Sequence, residues 1–182
     1  MTIAELPPTP ETLPAPEPAA EGEARQQGLA MICYSGDLEK TWAAMILAST
    51  AGAMGMPTKV FVTFWGLQTF VKPGIRITGE NWMQKMMSMM SRPGIAHRKL
   101  SKMNFLGMGP WMMRKLAKQY NVASPAELME MATLMGVEFV PCQMTMDMFG
   151  IKREDLLDGM GEPVGAATYL GYVAEGAAPI FI

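Results

Sequence analysis

The sequence predicts a three-layer α/β domain, with helices on both faces of a mainly parallel sheet, and three observations carry that expectation. Four short apolar runs begin near residues 29, 59, 137 and 178, the second rich in β-branched and aromatic residues, with helical patterns between them. The chain has 182 residues and is 49% apolar, which suits one domain with one core. Two cysteines and one histidine build neither a disulfide framework nor a structural zinc site, so stability has to come from packing.

Residues 1–28 hold six prolines and five glutamates against one basic residue, Arg25. Such a stretch buries too little apolar surface to offset its ordering entropy and reads as a disordered acidic tail, leaving 29–182 as the folded domain. LAMICYS, from Leu29, is a buried strand that ends in the turn and cap chemistry of Ser35-Gly36-Asp37. Leu38, Trp42, Met45, Ile46, Ser49 and Ala53 then follow the helical period, and Gly55 with Pro57 ends that helix. KVFVTFWGL, 59–67, reads as the second strand and completes a parallel βαβ unit.

A second unit closes the chain. Ser124, Pro125 and Glu127 read as N-cap, first-turn proline and acidic first turn, and Gly136 as the stop. A strand is expected at 137–140, then two short helices, 145–149 and 152–157, split at Gly150. A last helix at 165–173 and a last strand, APIFI at 178–182, complete the pattern.

Between the units lies an insertion, about 72–118, that carries ten of the fifteen basic residues and one acidic residue, Glu80. Residues 119–182 reverse this, with nine acidic and two basic residues. Sixteen of the 21 methionines fall between Met83 and Met160, and Met83, Met86, Met87 and Met90 share one helical stripe. Connections in α/β units need only a few residues beyond the helix, so a stretch this long implies its own task. A basic segment with Met and Trp suits a membrane surface, an acidic protein partner or an oligomer interface.

Several function classes drop out. Residues 36–41 have the Lys-Thr ending of a phosphate-binding loop without its glycines at the required spacing, and Gly107-Met108-Gly109 lacks the third glycine of a dinucleotide fingerprint. The chain is slightly acidic overall and its basic segment is poor in aromatics, so no nucleic acid is expected. No cofactor or metal is expected; His97, between basic neighbours, reads as a solvated member of a cationic patch with Arg98 and Lys99. The uncharged helical stretch 41–56 falls short of the roughly 20 residues a membrane span needs, and the N-terminus has neither the basic nor the apolar region of a secretory signal. A cytoplasmic location is expected.

Cys142 is the candidate reactive residue. It follows the strand at 137–140 and precedes a helix, where ligands collect in parallel sheets and where helix N–H groups favour a thiolate. Such a thiolate can attack sulfane sulfur and hold it as a persulfide, or form a disulfide or sulfenic acid. The plainer reading is a buried cysteine acting as a small apolar residue. Cys33 ends the first strand among core residues; if its strand adjoins that of Cys142, the two thiols could cycle as a disulfide pair.

The runs FVTFWGL (61–67), SKMNFLGMGPWMMRKLAK (101–118), PCQMTMDMFGI (141–151) and GAATYL (165–170) resemble the DsrE/DsrF-like superfamily, specifically its DsrE-type sulfur-carrier branch with a long Met-rich insertion. The resemblance covers 29–182 and implies a flavodoxin-like fold, homo-oligomers and a persulfide-carrying cysteine at Cys142. It implies TusA-like carriers and rhodanese-type sulfurtransferases as partners. Some relatives hold a second thiol in the insertion, whereas 101–118 here has none, so Cys142 would act alone. The expectation is therefore an intracellular sulfur-relay protein, more a carrier than an enzyme although sulfurtransferase activity fits it. The alternatives are a Cys33–Cys142 thiol-disulfide protein or a non-catalytic membrane-surface adaptor.

Overall fold

In β1 (Leu29–Cys33) the alternating side chains are buried on both sides of the strand, as a strand covered by helices on both faces requires. The computed structural model describes residues 27–75, 81–90 (backbone only for 87–90), 94, 95 and 98–182. Residues 1–26, which hold nearly all of the expected tail, and His97 lie outside the described residues.

The sheet has four parallel strands in the order β3-β2-β1-β4, with β2 at Thr58–Val62, β3 at Glu138–Pro141 and β4 at Ala178–Phe181. The chain thus steps outward from β1 to β3 and then crosses back to place β4 on the other side of β1. α1 (Leu38–Ala53) and α5 (Pro125–Leu134) pack side by side on one face. There they cover the main core, which includes Met31, Cys33, Met45, Val60, Phe70 and Phe139. α7 (Ala166–Ala174) covers the other face, where Ala30, Phe61, Cys142, Tyr169 and Ala177 form a smaller cluster. Tyr169 anchors α7 there by donating its hydroxyl hydrogen to the Ala30 carbonyl at 3.2 Å and stacking on Phe61.

The local signals act where the sequence places them. Ser124 Oγ accepts the Glu127 N–H and the Glu127 carboxylate accepts the Ser124 N–H at 2.7 Å, so α5 starts in a complete capping box. The Ser124 N–H bond, helped by the Ser124 side chain, holds the Glu127 carboxyl below its usual range. Gly55 (φ 71°) takes the chain out of the first helix, and Gly150 (φ 68°) ends the helix after Cys142.

Two expectations need correction. The second strand stops at Val62 instead of continuing to residue 67; Thr63 donates its N–H to the Cys33 carbonyl, and the chain then winds into α2 (Phe64–Leu67) and a 3₁₀ turn. Gly66 brings that turn against β1, donating its N–H to the Tyr34 carbonyl, and a Cβ there would overlap the Cys33 carbonyl oxygen. The short helix expected at 152–157 is a single 3₁₀ turn, Arg153–Asp155.

The described part of the insertion contains α3 (Trp82–Met90) and α4 (Met108–Gln119). Gln84 docks α3 on α6 (Gln143–Phe149) by donating its side-chain amide to the carbonyls of Asp147 and Met148, which lack helical partners. α4 packs Met113 and Ala117 on the core and exposes its opposite face. No helix among the described residues is long and apolar enough to cross a membrane.

Candidate functional site

β3 ends on Pro141, and Cys142 follows as the N-cap of α6. The main chain pins Cys142 on both sides. Its N–H donates to the Val62 carbonyl at 2.9 Å, and its carbonyl accepts the Met146 N–H at 3.0 Å. On the outer side, Val164 bridges to it: the Val164 N–H bonds the Pro141 carbonyl and the Gln143 N–H bonds the Val164 carbonyl. The N-cap position is one where a side-chain oxygen usually accepts a helix N–H; here a thiol occupies it without such a bond.

Two hydroxyls missed in the sequence reading brace this corner. Thr145, three residues into the segment after Cys142, shares a 2.9 Å hydrogen bond with Thr63 at the end of β2, and both are buried. The Thr145 oxygen also accepts the N–H of Phe64, a residue held at φ 46°. The signal was available in outline only for Thr145, near the start of an expected helix; Thr63 lay inside the strand expected at 59–67. Their pairing, however, depends on β2 and β3 being neighbours.

The structure differs from the expectation of a reachable sulfur: Cys142 is 3% exposed. The reason is the returning segment after α6, which runs beside β3 through the Phe139–Met160 and Cys142–Val164 bridges, together with α7 above it. Val140, Val164 and Tyr169 pack against the cluster that contains Cys142 and also line a pocket of about 220 Å³. Lys59 and Glu138, paired at 3.1 Å, stand among the lining residues of that pocket. Val140, Val164 and Tyr169 thus belong both to the surroundings of the thiol's cluster and to the lining of that recess. A larger cavity, about 720 Å³ between α1, α4 and α5, is lined by neither cysteine.

Cys33 is not brought to the same place. β2 lies between β1 and β3, with Cys33 paired to Val62 and Val62 to Pro141, so the two cysteines are separated by two strand spacings, roughly 10 Å. That exceeds the ~7 Å limit for a disulfide, and the side chains also join clusters on opposite faces of the sheet. Both thiols are free. The Cys33–Cys142 redox pair is therefore excluded by the strand order. Burial pushes the Cys33 thiol up to about 12, partly opposed by the positive charge of Arg98.

Arg98 also departs from the solvated patch expected of it. It is buried, donating from Nε to the Gly36 carbonyl at 2.7 Å and from Nη2 to the Trp65 carbonyl at 3.0 Å, and so ties the insertion to the loops after β1 and β2. That desolvation lowers the Arg98 pKa, with Asp37 and Cys33 opposing. No group of three or more His, Cys, Asp or Glu side chains positioned to hold a metal occurs among the described residues.

Residues 25–181 match the DsrE/DsrF/DrsH-like family. The chain belongs to that family. Within it, the chain is 38% identical over 152 residues to the uncharacterized protein YrkE of Bacillus subtilis, covering 84% of this chain and 94% of YrkE. It is 35% identical over 160 residues to a protein of Allochromatium vinosum named sulfur carrier protein DsrE2, covering 86% of this chain and 99% of that protein. Among solved structures, the protein of unknown function MTH1491 from Methanobacterium thermoautotrophicum is similar, with a TM-score of 0.44 and 14% identity over 86% of this chain and 99% of that one. The family is the one the sequence motifs implied, and the four-stranded parallel sheet with its helices is the α/β architecture they implied.

Proposed function

We propose that the protein is a cytoplasmic sulfur carrier that holds sulfane sulfur as a persulfide on Cys142. The observation that carries the reading is the position of Cys142, the one thiol at the carboxyl end of β3, in a chain that aligns almost end to end with a relative named a sulfur carrier. In the loading step the Cys142 thiolate attacks the outer sulfur of a donor persulfide. A new S–S bond forms, the donor's S–S bond breaks, and the donor sulfur leaves as a thiolate with the electron pair. Unloading is the same exchange toward an acceptor thiol, with TusA-like carriers and rhodanese-type sulfurtransferases as the proposed exchange partners and a homo-oligomer as the proposed working form.

Because Cys142 is covered, the exchange needs the Val164 strand segment or α7 to yield. That segment is held to the sheet edge by two isolated bridges, and α7 buries only Tyr169. Intact-mass analysis after polysulfide treatment tests the reading. Wild type and Cys33→Ala are expected to gain about 32 Da per added sulfur, and Cys142→Ser none. Equal loading of Cys142→Ser would overturn it.

A further inference from the structure

We propose that the turn at Met103–Gly107 and the outward face of α4 form a docking surface for an anionic lipid bilayer. The turn projects two large apolar side chains into solvent: Leu106 is fully exposed and Phe105 is 65% exposed. Both have positive φ (54° and 34°), as does Met103 (58°), a backbone that bulky residues rarely adopt. Something other than local preference holds these side chains out. The base of the turn is fixed, since Gly109 sits where a Cβ would overlap the Met103 carbonyl, and Ser101 N–H bonds the Glu39 carboxylate at 3.2 Å.

α4 continues the surface. With Met113 and Ala117 turned to the core, Met108, Trp111 and Met112 face outward and are all exposed, with Leu116 exposed beside them. Charge frames them. Lys102, Lys115 and Lys118 are exposed around the stripe, Lys115 Nζ lies 5.2 Å from the Trp111 ring centre, and residues 81–126 contain no acidic residue. Leucine and phenylalanine at the tip, methionines and a tryptophan behind them and a lysine beside the tryptophan form the order of a helix lying in a bilayer interface.

Two other occupants fit less well. A two-fold contact between copies through this surface would set the same lysines against one another. A folded acidic partner would need a preformed pocket for Leu106, whereas hydrocarbon accepts a projecting side chain without one. The proposal goes beyond the carrier reading and does not depend on Cys142.

Flotation of the full chain with vesicles tests it, using pure phosphatidylcholine and an equimolar mixture with phosphatidylglycerol. The chain is expected to float with the anionic vesicles, less so as salt rises and little with the neutral ones. Phe105→Ser/Leu106→Ser should lower the partition about tenfold or more while leaving the thermal melt unchanged, because both side chains are exposed. Lys102→Glu/Lys115→Glu/Lys118→Glu should remove the preference for anionic lipid, and Cys142→Ser should float as wild type does. Wild type remaining unbound at low salt would overturn the proposal, and so would a Phe105→Ser/Leu106→Ser variant that floats as well as wild type. Failure to bind vesicles combined with self-association that this double variant abolishes would assign the surface to a second copy. Capture on polyglutamate but not on vesicles would assign it to an acidic protein.

Discussion

Cys33 and Cys142 sit at the same end of one sheet, at the ends of β1 and β3, yet their surroundings differ in kind. Cys33 faces the α1 and α5 layer, inside the larger core, with its thiol pushed up to about 12 by burial. Cys142 faces the α7 layer, a thinner cover built from one helix and a bridged edge segment, and it heads a helix. One residue of register decides which face a strand residue meets. The difference teaches that the chemistry open to a thiol here is set by the layer it faces, and the following experiments probe that contrast from both sides.

The largest effect is expected at the thiols themselves. Cys142→Ser should abolish sulfur loading and Cys33→Ala should leave it intact, read by intact mass after donor treatment. Next is Gly66→Ala, aimed at the Cys33 side. The new Cβ overlaps the Cys33 carbonyl oxygen, a backbone atom that cannot swing away, and the fold should lose about 2 kcal/mol or more in urea denaturation.

Thr145→Val strikes the Cys142 side. It removes the partner of the buried Thr63 hydroxyl and of the Phe64 N–H, and should cost about 1–3 kcal/mol, with Thr145→Ser losing clearly less because it keeps the oxygen. The smallest effect is alkaline. Cys33 has its folded pKa raised from 9.0 to about 12, so the folded state holds a proton that the unfolded state releases. This contribution to stability is fully present below pH 9.0 and is lost as pH rises toward about 12. Between those values the urea midpoint should fall less steeply for Cys33→Ala than for wild type.

Much of the fold was legible because its signals are local. Ser124, Pro125 and Glu127 are three residues of a capping box, and the helix they start is present as read. The continuous apolar run LAMIC and the terminal APIFI run likewise mark strands without outside help. The tail end of the 59–67 run was misread because Phe64 and Trp65 have strand-like side chains, while the turn there is dictated by a neighbour: Gly66 against the end of β1. Arg98 looked like surface charge because nothing in its own neighbourhood indicates the carbonyls of Gly36 and Trp65.

The candidate site was legible in position and illegible in cover. That Cys142 stands between a strand and a helix follows from Pro141 and the run that precedes it. That Val164 lies alongside it, that Thr145 meets Thr63, and that β2 separates the two cysteines all follow from strand order. Strand order is a long-range property, and a single sequence carries no local mark of it.

The contrast between the two thiols can be read within one unmodified molecule. After brief exposure to a persulfide donor, trypsin would release Cys33 in the peptide 26–40 and Cys142 in the peptide 119–152, cut at Arg25, Lys40, Lys118 and Lys152. Added sulfur is expected on the Cys142 peptide, with the Cys33 peptide left bare until the chain is unfolded. Sulfur spread equally over both peptides of the folded chain, or confined to the one that holds Cys33, would contradict the assignment of the carrier role to Cys142.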